Sequence, residues 1–291
     1  MIGLALLRRC EKLGKQVCES TMLELLTQYE WTEIAWIATS VFLMGVSKGG
    51  FPLGGLAMPI LILIWPQQAT AARSVVAFML PLLCAMDAVS LIFYRKEVSW
   101  KAIAPMVPGT LVGVALASVL FVSDTGALVA ISDRVLKGLI GSIGILFVVF
   151  QLTRRWVLGQ LTEAQGVSRP GKVRSAVLGV AAGVLSTISH SAGPAAVIYF
   201  VPQQLGKLKL AGTMVAYFWG LNLIKLAPFG VLGRLEVGNL MLALWLVPVI
   251  PVGVGIGYGL VRILDERHYV GLIYVALIVT SAMLVHRAFA G

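Results

Sequence analysis

Read only for hydrophobic and polar positions, the chain is a succession of long apolar runs separated by short basic links. Eight runs stand out, at 34–64, 74–94, 102–122, 135–153, 175–202, 211–233, 240–264 and 269–285. Each is near or above the ~20 apolar residues a helix needs to cross a bilayer. The runs are continuously apolar and lack the alternation of an outer-membrane barrel strand. The pattern predicts an all-α polytopic membrane protein with about eight transmembrane segments.

Two runs interrupt themselves. The first contains "GVSKGGFPLGGLAMP" from Gly45 to Pro59, with a lysine, two Gly-Gly pairs and Pro52 inside it. As one continuous helix, 34–64 would extend about 46 Å, more than a hydrocarbon core of about 30 Å. A re-entrant hairpin or a broken, tilted helix is therefore expected. The fifth run is interrupted in the same way by "GVLSTISHSAGPAAVIY" from Gly183 to Tyr199.

The two breaks are part of an internal repeat. Gly45 and Gly55 align with Gly183 and Gly193 at one constant offset. "WPQQ" from Trp65 returns as "VPQQ" from Val201, and "YRKEV" from Tyr94 returns as "GRLEV" from Gly233. "PMVPG" from Pro105 is echoed by "PVIPVG" from Pro248. The division is then a tail or interfacial helix at 1–32, a first repeat at 33–155, a linking loop at 156–173 and a second repeat at 174–291. Each repeat is one broken segment followed by three plain ones. If all eight segments cross, the side holding both termini has the larger share of Lys and Arg, which places it in the cytoplasm. If the broken segments re-enter, the two halves are inverted and the charges do not decide orientation.

Composition fits this picture. Of 291 residues, 58% are hydrophobic and 12% charged, with a mean hydropathy of +0.91. The net charge of +10 would suggest nucleic acid in a soluble protein. Here most Lys and Arg lie in short loops, where they set topology and meet anionic lipid heads, and nucleic acid is excluded as a partner. Cys10, Cys18 and Cys84 have neither disulfide nor metal-ligand spacing. The sequence calls for no cofactor and no metal.

The breaks are the candidate chemistry. Irregular backbone at membrane depth is tolerated only where protein buries it or it lines a wet cavity. Paired Gly/Pro-interrupted segments are the best sequence pointer to a transporter's binding site. Gly49, Gly50, Gly54 and Gly55 in the first break, and Ser189, Ser191 and Gly193 in the second, would offer backbone amides and positive helix ends to a ligand. With Lys48 they suggest an anion site. Gly109, Gly113, Gly138, Gly141 and Gly144 are better read as close helix packing. The other ionisable groups deep inside segments are Asp87, His190 and Lys225. Each is a functional candidate because an intramembrane charge is costly. Asp87 can pair with Lys225 or with Lys48. His190 is placed for substrate or proton handling, with Asp87 as a second coupling group, and Asn222 shares the helical face of Lys225.

"SKGGFPLGGLAMPIL", "MLPLLCAMD", "SHSAGPAAVIYFVPQ" and "FWGLNLIKLAPF" together resemble, in this order, the motifs of TauE/SafE-type sulfite exporters, a group of bacterial anion permeases. The resemblance covers nearly the whole chain from Ile34. Pro52 and Leu53 replace glycines of the first motif, and Ser191-Ala192 stands where a Gly-Gly is usual. It implies a secondary transporter that exports a small anion, such as sulfite or a short organosulfonate, across the bacterial inner membrane. Its partners would be that anion and the lipid bilayer. Oligomeric state is left open, with a homodimer as one arrangement. The alternatives are an anion channel and an intramembrane enzyme, for example a hydrolase using Ser189 or Ser191 with His190. The enzyme is disfavoured because neighbouring residues at a helix break rarely face each other as nucleophile and base. No Walker or HExxH pattern occurs.

Overall fold

The computed structural model describes residues 30–50, 54–66, 70–119, 170–190, 192–200, 203, 205, 207–235 and 237–263, with single positions at 138, 142, 146, 149, 282 and 286. Most of the predicted fourth and eighth runs, with Gly141 and Gly144, most of the tail, most of the linking loop, Pro52, Leu53 and Ser191 lie outside the described residues. Those that are described form helices: α1 (Trp31–Lys48), α2 (Gly54–Ile64), α3 (Ala71–Tyr94), α4 (Trp100–Ile103), α5 (Val107–Ala117), α6 (Lys172–Ser189), α7 (Gly193–Phe200), α8 (Lys207–Val231), α9 (Val237–Leu246) and α10 (Val249–Ile263).

Both predicted breaks are present. The first run becomes α1 and α2, and the fifth becomes α6 and α7. Among the described residues, each break has one of positive φ, Gly50 at 113° and His190 at 53°. The helix α7 opens on Gly193 with Pro194 next, where a missing N–H leaves no bond unmade. Among the described residues, four stretches are long and apolar enough to cross a membrane: Ala71–Tyr94, Trp100–Ala117, Lys172–Ser189 and Lys209–Val231.

The seventh run departs from its expected plain form. It is two helices, Asn239–Leu246 and Val249–Leu260, bent by 51° at the break, and the pair would make a fifth span. Pro248 lies at the corner and has no N–H to continue the ladder. The third run is irregular at the corresponding landmark, where Ala104–Met106 tighten into a 3-10 turn around Pro105.

Packing exchanges the halves. The first leg of the first break, α1, lies along α10 from the second half, while α6, the first leg of the second break, lies along α5 from the first half. The second segments, α3 and α8, pack on each other between them. One apolar core gathers Ile37, Leu61, Phe78, Leu83, Leu246 and Val254. The other gathers Met106, Ala182, Tyr199, Phe200, Tyr217 and Leu221.

Glycine brings the exchanged pairs together. A Cβ on Gly113 would lie on the backbone of Val180, and one on Gly183 on that of Thr110 and Gly113. In the other pair, Gly257 meets the backbone of Val46 and Gly253 meets Gly45 and Phe42. This is the small-residue packing of membrane helices, as expected for Gly109 and Gly113. Gly113→Val should therefore force α5 from α6 and destabilise the protein by about 1–3 kcal/mol or more. Gly220→Ala, in α8 with nothing within 4 Å of the new Cβ, should stabilise by about 0.5–1 kcal/mol. Melting temperatures in one detergent check both, and equal values for the two variants would contradict the assignment.

Candidate functional site

The α1 helix ends where its last carbonyls find partners on α3. Ser90 Oγ donates to the Lys48 carbonyl at 2.9 Å, and Tyr94 Oη donates to that of Gly49 at 3.2 Å. Terminal helix carbonyls have no partner within their own helix, so α3 supplies the cap. The amides expected to face a ligand are already engaged: Gly49 N donates to Gly45 O and Gly50 N to Ser47 O, both at 3.0 Å. A Cβ on Gly49 would also collide with Val254, Gly257 and Tyr258 of α10. Its missing side chain thus serves the contact between α1 and α10. Gly54 and Gly55 form the first turn of α2 and Gly193 begins α7.

Lys48, in the last turn of α1, reaches Asp87 on α3, with Nζ 2.8 Å from Oδ1. Of the two pairings open to Asp87, the structure has this one. Asn222 Nδ2 of α8 donates to the other carboxylate oxygen at 2.7 Å. Asp87 is fully buried, while the Lys48 side chain keeps 15% of its exposure. The Lys48 ammonium also stands 5.1 Å from the centroid of the Phe218 ring, within cation–π range. With an ammonium against one oxygen and an amide donor at the other, the carboxylate has the surroundings of its ionised form.

One turn along α8 from Asn222, the fully buried Lys225 has three acceptors. Its Nζ donates to Ser186 O at 3.0 Å, to Ser186 Oγ at 2.8 Å and to His190 Nδ1 at 2.8 Å. Three acceptors match the three N–H groups of an ammonium. The charge lies against the carboxyl end of α6, where a cation is favoured. The other ring nitrogen of His190, Nε2, is 2.8 Å from Val76 O of α3. A carbonyl on one side and an ammonium on the other assign a neutral imidazole protonated at Nε2. Pro81, inside α3, removes the helical partner of the adjacent Ala77 carbonyl. His190 holds this position in a left-handed conformation, the kind of strain that collects at functional sites.

The site therefore joins both breaks through α3 and α8. Sequence reasoning missed Ser186, Val76 and Phe218. Ser186 had a signal: it stands at the position of Lys48 under the offset that aligns the two breaks. In the first half the break supplies the lysine and the following helix the partner. In the second half the roles are exchanged. Among the described residues, Ser189 and His190 do not form a hydrolytic pair: both ring nitrogens of His190 are engaged elsewhere and Ser189 Oγ donates to Leu185 O at 3.2 Å; Ser191 lies outside those residues.

A family model described as sulfite exporter TauE/SafE matches residues 37–284. No curated protein matches the chain, and no solved structure does.

Proposed function

We propose, from the premise that the chain belongs to the sulfite exporter TauE/SafE family, that it is a secondary transporter of the bacterial inner membrane exporting a small anion such as sulfite or a short organosulfonate. That family's business is membrane transport, and the apolar helices of this chain agree with it. The anion site is the buried cluster at the two breaks, with Lys48 as the principal contact. Lys225, Asn222, Ser186 and His190 form the second side of the site. The remaining break residues, Gly49, Gly50, Gly54, Gly55, Ser189, Ser191 and Gly193, flank it along the chain.

The observation that carries this reading is the pairing of Lys48 with Asp87 at 2.8 Å beside a second buried ammonium. A charged pair inside apolar helices is costly to maintain, and such groups mark substrate pathways. In this reading Asp87 occupies Lys48 while the site is empty, and an incoming oxyanion takes over that contact. Asp87 and His190 are the groups through which a proton could be coupled. An inside-negative potential already drives an anion outward, by about 2.3 kcal/mol per charge per 100 mV, so export needs no ATP.

Eight spans in two repeats is the architecture we infer. The reciprocal packing of α1 on α10 and α5 on α6 and the irregularities at Pro105 and Pro248 support it. The test is sulfite efflux from proteoliposomes. Wild-type protein should accelerate efflux at least tenfold over protein-free vesicles, and an imposed potential of 100 mV, negative inside, should accelerate it further. Efflux no faster than that of empty vesicles would contradict the proposal.

A further inference from the structure

The ion pair and the hydrogen bonds of the cluster assign its charges. Lys48 is an ammonium paired with a carboxylate. Asp87 is ion-paired with Lys48 through one oxygen and accepts from Asn222 at the other. Lys225 donates to three neutral acceptors. His190 is neutral, because its Nε2 must donate to Val76 O while its Nδ1 accepts from Lys225. Two ammonium groups and one carboxylate leave a surplus of one positive charge, and Lys225 is the cation whose partners here include no carboxylate. An unbalanced charge is expensive in a buried site. One negative charge from outside would balance it.

We infer that the cluster is built to take a monoanion, a sulfonate or a singly charged oxyanion, and that Asp87 is the residue that sets this valence. The inference rests on the proposed transport site and adds to it a rule for which anions the site admits. A dianion would carry its second charge against Asp87, which is held in place by Asn222 at 2.7 Å. Removing the Asp87 charge leaves two ammonium groups unopposed and turns the same cluster into a site for a dianion.

The test uses the full chain, purified in detergent micelles, with methanesulfonate and sulfate as probes in calorimetric titrations. Wild type should bind methanesulfonate at least tenfold more tightly than sulfate. Desolvation disfavours a dianion at any buried site, so the decisive readout is the change in that ratio. In Asp87→Asn it should fall at least tenfold, with sulfate gaining. The substituted amide keeps an oxygen for Lys48. Should Asp87→Asn fail to fold, Ser186→Asp places a carboxylate against Lys225 and cancels the surplus. Its methanesulfonate affinity should fall at least tenfold further than that of Ser186→Asn, which has the same size and no charge. A wild type that prefers sulfate, an unchanged ratio in folded Asp87→Asn, or equal losses in both Ser186 variants would overturn the inference. If wild type binds sulfite but prefers sulfate, only the valence rule fails. If it binds neither probe nor sulfite, the transport site fails with it.

Discussion

Lys48→Met is expected to destabilise the protein by about 3–5 kcal/mol, whereas Lys48→Met combined with Asp87→Asn restores most of that stability and still does not bind anion. The reason is the asymmetry of a buried ion pair. Removing one partner strands the other without a counter-charge, and this is the costly step. Asp87 is fully buried and Lys48 neutralises it at 2.8 Å. Asn222 remains as a donor in the single variant, but a neutral amide does not balance a carboxylate. In the double variant the neutral amide that replaces the carboxylate can still bond to Asn222, so the fold recovers while the ammonium stays absent. Thermal unfolding in detergent separates the two variants, and sulfite titration shows the shared loss of binding. A Lys48→Met protein as stable as wild type would show that the pair does not hold these helices together. Sulfite binding retained in the double variant would remove Lys48 from the site.

Lys225→Met should show the reverse balance: a fold that survives and transport that does not. The Lys225 partners are neutral, namely the carbonyl and hydroxyl of Ser186 and the His190 ring. Its removal takes away a buried charge and strands none. The Ser186 carbonyl keeps the His190 amide, 3.0 Å away. What remains unmet is one neutral ring nitrogen and one hydroxyl, each a smaller loss than a stranded charge. A methionine stem refills part of the apolar volume. Sulfite efflux from proteoliposomes should nevertheless fall at least a hundredfold, since the surplus positive charge is gone. Efflux within threefold of wild type would show that Lys225 is only a cap on the end of α6. The contrast between the two lysines is itself informative, since both should lose function while only one loses much stability.

Much of this was legible in the chain because the relevant signals are local. A Gly/Pro interruption in an apolar run cannot remain a regular helix, so both breaks were visible at 49–55 and 189–193. Membrane-depth charges are so few that Lys48, Asp87, His190 and Lys225 had to be considered together. Gly109 and Gly113, spaced by one helical turn, announced close packing. What the sequence could not settle was which groups spend their hydrogen bonds on one another. The amides of Gly49 and Gly50 looked free for a ligand, yet they close the end of α1, and Ser90 and Tyr94 of α3 bind its carbonyls. Asp87 had two candidate lysines at comparable positions, and only the packing of α1 against α3 decides between them. The bend at Pro248 was hidden because a proline inside a membrane helix can be tolerated without breaking it. Ser186 escaped notice because a serine in an apolar helix has no chemistry of its own. It matters here because Lys225 arrives from α8.

The central claim is that the anion binds at the cluster where the two breaks meet, against Lys48. The most direct measurement is a structure of the full chain with selenite, a heavier relative of sulfite that anomalous scattering can locate. The selenium should lie beside the Lys48 ammonium, with a selenite oxygen at hydrogen-bond distance of about 2.7–3.2 Å and the contact between Lys48 and Asp87 lengthened. Selenium bound elsewhere, with Lys48 still 2.8 Å from Asp87, would contradict it.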